Sequence, residues 1–433
     1  MTNRGVSRRD YLALMRSKFS QGVLWNVGSL AFLAGGGVLI NLIVVRFRGE
    51  AALGVFNQVY AVYIVLSQVG VGGLQHSVLK HVSYQQSDRD RCGDITSAAL
   101  ILVFAISVPL SLGAFWLAEP VGNVLSSPAV AEGIRLVAPG LVFFALNKVL
   151  INVLNGLQWM RSYAVFRSVR FVLIPLFIVV IASLGLPDSS LALSLTLAEI
   201  VLFVGLVIFV YRWVVPLRPI AHMRVRLSEH LSFGLRGILS GMLMELNTRV
   251  DVLMLGYFVS DAQVGIFSFA AIMAEGIAQI PTAVRWNVDP IIGGYFASGR
   301  TEQIGVVSRR IRRVFYPAML LIGLVAALAY PLLYDLLAGG VGLTESWPVF
   351  VIITAGVVIG AGYRPFGGLL LQAGRPGLFT LFILVLVLTN VVFNLLLIPV
   401  LGIYGAALAT MLTFVGEAVL LYGLARWLFH VKL

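Results

Sequence analysis

The chain has 433 residues, of which 59% are apolar and 12% charged, about half the charged share of an ordinary soluble domain. Its mean hydropathy is +0.95. A soluble or disordered chain of this length has no means of covering so much apolar surface, so the expected solvent is a bilayer, where one crossing takes about 20 apolar residues.

Residues 1–20 are polar and basic, with Arg4, Arg8, Arg9, Arg16 and Lys18. The apolar run behind them is too long for a signal-peptide core and has no small-residue cleavage site. It predicts a first crossing, and such runs recur along the chain. The expected spans are 21–45, 53–78, 95–117, 134–156, 164–184, 190–211, 231–258, 263–285, 314–337, 347–371, 378–400 and 403–426. The fold class is therefore an all-α polytopic membrane protein with about twelve transmembrane helices. Between the eighth and ninth spans, Ser298 to Val314 sets Arg309, Arg310, Arg312 and Arg313 beside Ile304, Val306 and Val307. This stretch reads equally as an interfacial helix on anionic lipid or as a solvated connector.

The 31 basic residues against 19 acidic ones fit cytoplasmic loops and give no reason to expect nucleic acid. Lys80, Arg89, Arg91, Arg161, Arg167, Arg170, Arg212, Arg218, Arg224, Arg226, Arg300, the Arg309–Arg313 cluster and Arg375 fall at one set of helix ends. Glu50, Glu119, Glu132, Asp188, Asp261, Asp335 and Glu345 fall at the other, where only Arg46, Arg48 and Arg135 depart from the pattern. The positive-inside rule then places both termini in the cytoplasm of a multi-pass cell-membrane protein.

The two halves resemble each other. Gly54-Val55-Phe56 precedes the second span as Gly265-Ile266-Phe267 precedes the eighth. Leu157-Gln158 with Arg161 matches Leu371-Gln372 with Arg375, Glu199 matches Glu417, Arg212-Trp213 matches Arg426-Trp427, and Lys148 aligns with Arg364 after a short slip. These matches share a shift near half the chain length, the mark of an internal repeat. An even number of crossings per repeat makes the repeats parallel. The expected organisation is a cytoplasmic segment over 1–20, an N-lobe over 21–212, an inter-lobe linker over 213–230 and a C-lobe over 231–433.

A charge near the bilayer centre costs about 2.5–3.5 kcal/mol on insertion scales, so such residues face a partner or a wet cavity. Lys148, Glu199, Glu245, Arg249, Asp251, Glu275, Arg364 and Glu417 hold such positions. Lys148 and Arg364, in matching places, suit a cavity for a phosphate or pyrophosphate head, or they snorkel to the interface. Glu245 and Arg249, four apart, are placed to pair. Glu199, Glu245, Asp251, Glu275 and Glu417 read as coupling acids or as structural ones. Asn147 and Gln279 are among the amides able to meet sugar or to bond neighbouring helices. Pro139, Pro175, Pro281 and Pro365 are candidate kinks.

No GxxxxGK(S/T), HExxH or GxSxG motif occurs, and the five histidines and the single Cys92 show no zinc-ligand spacing. No metal or cofactor is expected. The loops at the acidic ends are too short for a catalytic domain, which disfavours a glycan ligase or polymerase.

The stretch Asn247-Thr-Arg249-Val-Asp251-Val-Leu-Met-Leu-Gly256-Tyr-Phe258, then Val264-Gly265-Ile266-Phe267 and Ile280-Pro281, resembles the polysaccharide-transporter branch of the multidrug/oligosaccharidyl-lipid/polysaccharide (MOP) exporter superfamily. The resemblance implies a V-shaped, MATE-like pair of six-helix bundles exporting a lipid-linked sugar. Together with the duplicated halves and the Lys148/Arg364 pair, it leads to the expectation of a non-enzymatic flippase for a polyprenyl-(pyro)phosphate-linked oligosaccharide, with Lys148, Arg249 and Arg364 on phosphate and Asn and Gln side chains on sugar. The implied surroundings are membrane lipid and glycan-assembly proteins, with the chain a monomer. A cation-coupled multidrug exporter of the same superfamily, using Glu245, Asp251, Glu275 or Glu199, is the alternative.

Overall fold

The computed structural model describes residues 8–217, 223–338 and 343–433, and all regular structure among them is helical. Helix α1 (Arg8–Val71) carries the first two expected crossings, broken at Gly49, whose φ of 81° lies in the left-handed region. The second crossing passes Gly72 and Gly73, also at positive φ, into α2 (Leu74–Tyr84). Next come α3 (Arg89–Trp116), the short α4 (Ala118–Val124), α5 (Pro128–Gly156) and α6 (Met160–Ser183). The sixth crossing is a 3₁₀ turn at Asp188–Ala192, α7 (Leu193–Phe209) and a π turn at Val210–Val214.

The second half comprises α8 (Met223–Phe258), α9 (Asp261–Ala297), α10 (Glu302–Ala338), α11 (Leu343–Gly360), α12 (Leu369–Gln372), α13 (Pro376–Leu401) and α14 (Ile403–Phe429). The expected kink at Pro365 is present: α11 and the segment Arg364–Gln372 meet at 57°. Eight helices among the described residues are long and apolar enough to cross a membrane, or nine with this bent pair. The remaining expected crossings lie on α1, which joins two, and on α8, which concentrates Glu245, Arg249 and Asp251.

Two local expectations change. The basic stretch after Ser298 is no separate interfacial helix, because α10 starts at Glu302 and runs without a break into the ninth crossing. Its amphipathic character remains, with Ile304 and Ser308 buried and Arg309, Arg310 and Arg313 exposed. In the expected linker, α8 already begins at Met223, while residues 218–222 lie outside the described residues. Two of the three departures from the charge pattern have a cause. Arg48 pairs with Asp188 at 3.4 Å and donates to the carbonyls of Ala182 and Leu186. Arg135 pairs with Glu119 at 2.9 Å.

Lipid tails are as apolar as leucine, so these helices associate through close packing and polar contacts. The matched glycines show both. A Cβ on Gly54 would lie 1.7 Å from the Asp261 carbonyl oxygen, and one on Gly265 would lie 1.9 Å from that of Glu50. Each Cβ would also come within 3.0 Å of the other glycine's nitrogen. The two repeat motifs therefore touch each other across the seam between the halves. Around them Gln58 Nε2 donates to Asp261 Oδ1 at 2.6 Å, Ser127 Oγ to Asp261 Oδ2 at 2.7 Å, and the Tyr334 hydroxyl to Glu50 Oε1 at 3.1 Å. This network seals the acidic end of the seam. Toward the basic end, α8 crosses α2 where Gly234 abuts Gly72 and Gly73, and His230 is held by Ser77 Oγ and the Ile95 carbonyl.

Candidate transport cavity

Two adjoining cavities, of about 370 and 400 Å³, occupy the seam below the seal. Asn57, Arg249, Ile272, Glu275 and Gln279 line both, which makes the middle of α8 and α9 their common wall. The larger is walled mainly by α1, α6 and α9, and includes Tyr60, Arg167 and Glu245. The smaller extends along α9, α13 and α14 past Thr282 and Arg285 to Arg364 and Glu417. Both run toward the basic helix ends, the direction in which Arg167, Arg285 and Arg364 lie.

Four basic side chains (Arg167, Arg249, Arg285, Arg364) and four acidic ones (Glu245, Asp251, Glu275, Glu417) face these spaces. Their partners separate them into classes. Arg364 pairs with Glu417 at 3.4 Å with its guanidinium 4.0 Å from the Phe414 ring centroid. Arg285 pairs with Asp289 at 3.4 Å. Asp251, buried, accepts from Asn394 Nδ2 at 2.6 Å and from the Thr410 hydroxyl at 2.8 Å, so α8, α13 and α14 are tied together by neutral donors. The Asn394 amide also bonds Asn390 Oδ1, and Asn394 Oδ1 is left without a partner. One carboxylate among neutral oxygens is a donor set for a proton or a small hard cation. No group of three or more His, Cys, Asp or Glu that could hold a metal occurs among the described residues.

Arg249 and Glu275 differ from the rest. The expected Glu245–Arg249 pair is not formed: Gln68 Nε2 bonds Glu245 at 3.4 Å, and Arg249 stacks over Tyr60, its guanidinium 5.2 Å from the ring centroid. Arg249 Nε is buried with no hydrogen-bond partner. Glu275 has neither a hydrogen bond nor an ion pair among the described residues. An arginine with an unpartnered Nε and a carboxylate without a hydrogen bond or ion pair among the described residues thus line both cavities, as does Gln279.

The remaining sequence candidates lie elsewhere. Lys148 lines neither cavity; its ammonium donates to Gln68 Oε1 at 3.0 Å, so it is held inside the N-terminal half and does not snorkel. Asn147, expected to meet sugar, is fully buried and donates to the backbone and carboxylate of Glu199 at 2.9 and 2.8 Å, which leaves its amide no reach to a ligand. Glu199 is paired with Arg170: Nε approaches Oε1 at 2.5 Å, and Nη2 makes the aligned hydrogen bond to Oε2 at 3.1 Å. Arg170 and Arg167, read from sequence as loop charges, sit inside α6. The matched acids Glu199 and Glu417 are thus each neutralised by an arginine, but from different crossings. Sequence reasoning also passed over Asn57 and Ser268. The repeat carried the signal for both, since they directly follow the two Gly-x-Phe motifs and both reach the cavity.

A family model described as polysaccharide biosynthesis protein matches residues 19–282. The chain belongs to this family. No curated protein matches it. Among solved structures it is similar to an inward-facing MATE-family multidrug resistance transporter of the MOP superfamily, with a TM-score of 0.74 at 14% identity over 93% of this chain and 94% of the other. It is similar to the lipid II flippase MurJ in an inward closed conformation, at 0.76 and 12% over 93% and 87%. It is also similar to a MOP superfamily transporter from Pyrococcus furiosus, at 0.59 and 15% over 93% and 94%. At these identities the likeness is one of fold. The protein is a multi-pass member of this polysaccharide biosynthesis family, helical throughout its described residues, with the fold of MOP-superfamily transporters.

Proposed function

We propose that the protein is a flippase that carries a polyprenyl-(pyro)phosphate-linked oligosaccharide from the inner to the outer leaflet for cell-surface polysaccharide assembly, without catalysing a covalent step. The observation that carries this reading is Arg249, an arginine with an unpartnered Nε at the junction of both cavities. A guanidinium in a poorly hydrated site attracts phosphate strongly and presents the fork that matches its oxygens. Arg285 and Arg364, each paired with an acid, lie further along the smaller cavity, where a phosphate could compete for them. The termini lie in the cytoplasm of the cell membrane, so the cavity faces the side where such lipids are made, and the seal at Gly54 and Gly265 closes the other side. Rocking of the halves then exposes the site outside while the tail stays in the bilayer.

The test is surface glycan display by a deletion host complemented with wild-type protein or with Arg249→Ala. The variant is expected to insert normally, to lose display and to accumulate the lipid-linked precursor. Normal display by a stably expressed Arg249→Ala protein would remove the phosphate role. The acids Glu245 and Glu275 favour a second reading, export of cationic drugs. A deletion strain with changed drug sensitivity and intact glycan display would select it.

A further inference from the structure

Phosphate recognition accounts for Arg249 but not for Glu275, which lines both cavities and lacks a partner among the described residues. A carboxylate inside the membrane with no hydrogen bond or ion pair among the described residues is unfavourable unless a donor reaches it. It is also repelled by phosphate, so its presence beside a phosphate-binding arginine calls for another part of the same ligand. Its neighbours have the matching chemistry. Gln279 lies one turn further along the same face of α9 and lines both cavities. Asn247 lines the smaller cavity from α8, two residues from Arg249, with a buried Oδ1 that has no partner. A carboxylate and two amides offer acceptors and donors to a ring bearing hydroxyl or amino groups.

We infer that Glu275, with Asn247 and Gln279, forms a sugar subsite directly beside the phosphate position at Arg249. It takes the sugar unit joined to the phosphate, through a hydroxyl or ammonium donated to the Glu275 carboxylate. The inference rests on the flippase reading and deepens it. The cavity selects a head group by an anion and an adjacent hydrogen-bond donor together, and Glu275 is a specificity residue and not a coupling acid.

The experiment uses the full-length purified protein and three probes: inorganic phosphate, glucose 1-phosphate and glucosamine 1-phosphate, with affinity read from ligand-dependent thermal shift. The wild type is expected to bind the sugar phosphates more tightly than phosphate. Glu275→Ala is expected to remove that advantage, a loss of about ten- to a hundred-fold as for one charged hydrogen bond, while phosphate binding stays. The isosteric Glu275→Gln separates the donors. It retains glucose 1-phosphate if a hydroxyl is bound, and it loses only a glucosamine 1-phosphate preference if an ammonium is bound. Sugar phosphates that bind no better than phosphate, or an advantage that survives both Glu275 variants, would overturn the subsite and leave Arg249 standing. Absence of phosphate binding together with no effect of Arg249→Ala would instead overturn the flippase reading. Glu275→Gln that keeps all probe binding yet abolishes glycan display would show a coupling acid and overturn the inference as well.

Discussion

Replacing Glu199 by alanine tests whether a buried charge in this protein serves packing or transport. The side chain of Glu199 is 2% exposed, and it accepts from Arg170 and Asn147 at once. The arginine side chain is 19% exposed and lies against the Phe144 ring, 4.3 Å from its centroid. Removing the carboxylate strands the guanidinium and the Asn147 amide together. Breaking one side of a buried pair costs about 3–5 kcal/mol, whereas replacing both sides with apolar residues of similar volume is often neutral or stabilising. With each kcal/mol worth roughly 2–4 °C in a unit of ~150–250 residues, Glu199→Ala should lower the melting midpoint by about 6–20 °C. The double variant Arg170→Met with Glu199→Leu should stay within a few degrees of wild type and still support glycan display. Thermal unfolding of the purified variants, read beside a display assay, decides it. A Glu199→Ala protein as stable as wild type would refute the energetic reasoning. A stable double variant without export would show the pair to be functional.

Three further outcomes follow from the same geometry. Gly265→Leu pushes the Glu50 carbonyl away and should hold the acidic end of the seam open. A Ser268→Cys reporter, with Cys92→Ser, should then label faster with an impermeant thiol reagent, and an unchanged rate refutes the seal. Asp251→Ala strands the Asn394 and Thr410 donors at about 1–3 kcal/mol apiece, and Asp251→Asn should lose less. Equal stabilities of the two, by thermal unfolding, would show that the carboxylate does not organise α13 and α14. Arg364, which lines the cavity, should matter more to export than Lys148, which does not. Arg364→Ala is expected to reduce glycan display by about tenfold, ~1.4 kcal/mol, beyond the effect of Lys148→Ala, and equal effects would contradict the placement of Lys148.

Much of the architecture is legible in the amino-acid order because the bilayer imposes a one-dimensional rule. Spans must be apolar and about 20 residues long, so all the expected crossings fall on helices, and Pro365 marks a true bend. The repeat was legible for a similar reason: its Gly-x-Phe motifs permit a backbone approach no other residue allows. Charged residues were harder. Arg167 and Arg170 look like loop charges because a basic residue near a helix end has the same sequence appearance whether it turns outward or inward. The i, i+4 spacing of Glu245 and Arg249 permits a pair, but it does not exclude competitors from other crossings, and Gln68 and Tyr60 won those contacts.

The sequence by itself determined the solvent, the crossings, the duplication and the short set of charges worth examining, because each depends on local composition or on spacing along one helix. Only the tertiary structure decided which charges are already satisfied. Partners 29 and 53 residues apart, such as Arg170 with Glu199 and Arg364 with Glu417, meet through helix packing that no local pattern encodes. That packing leaves Arg249 and Glu275 facing the space between the halves.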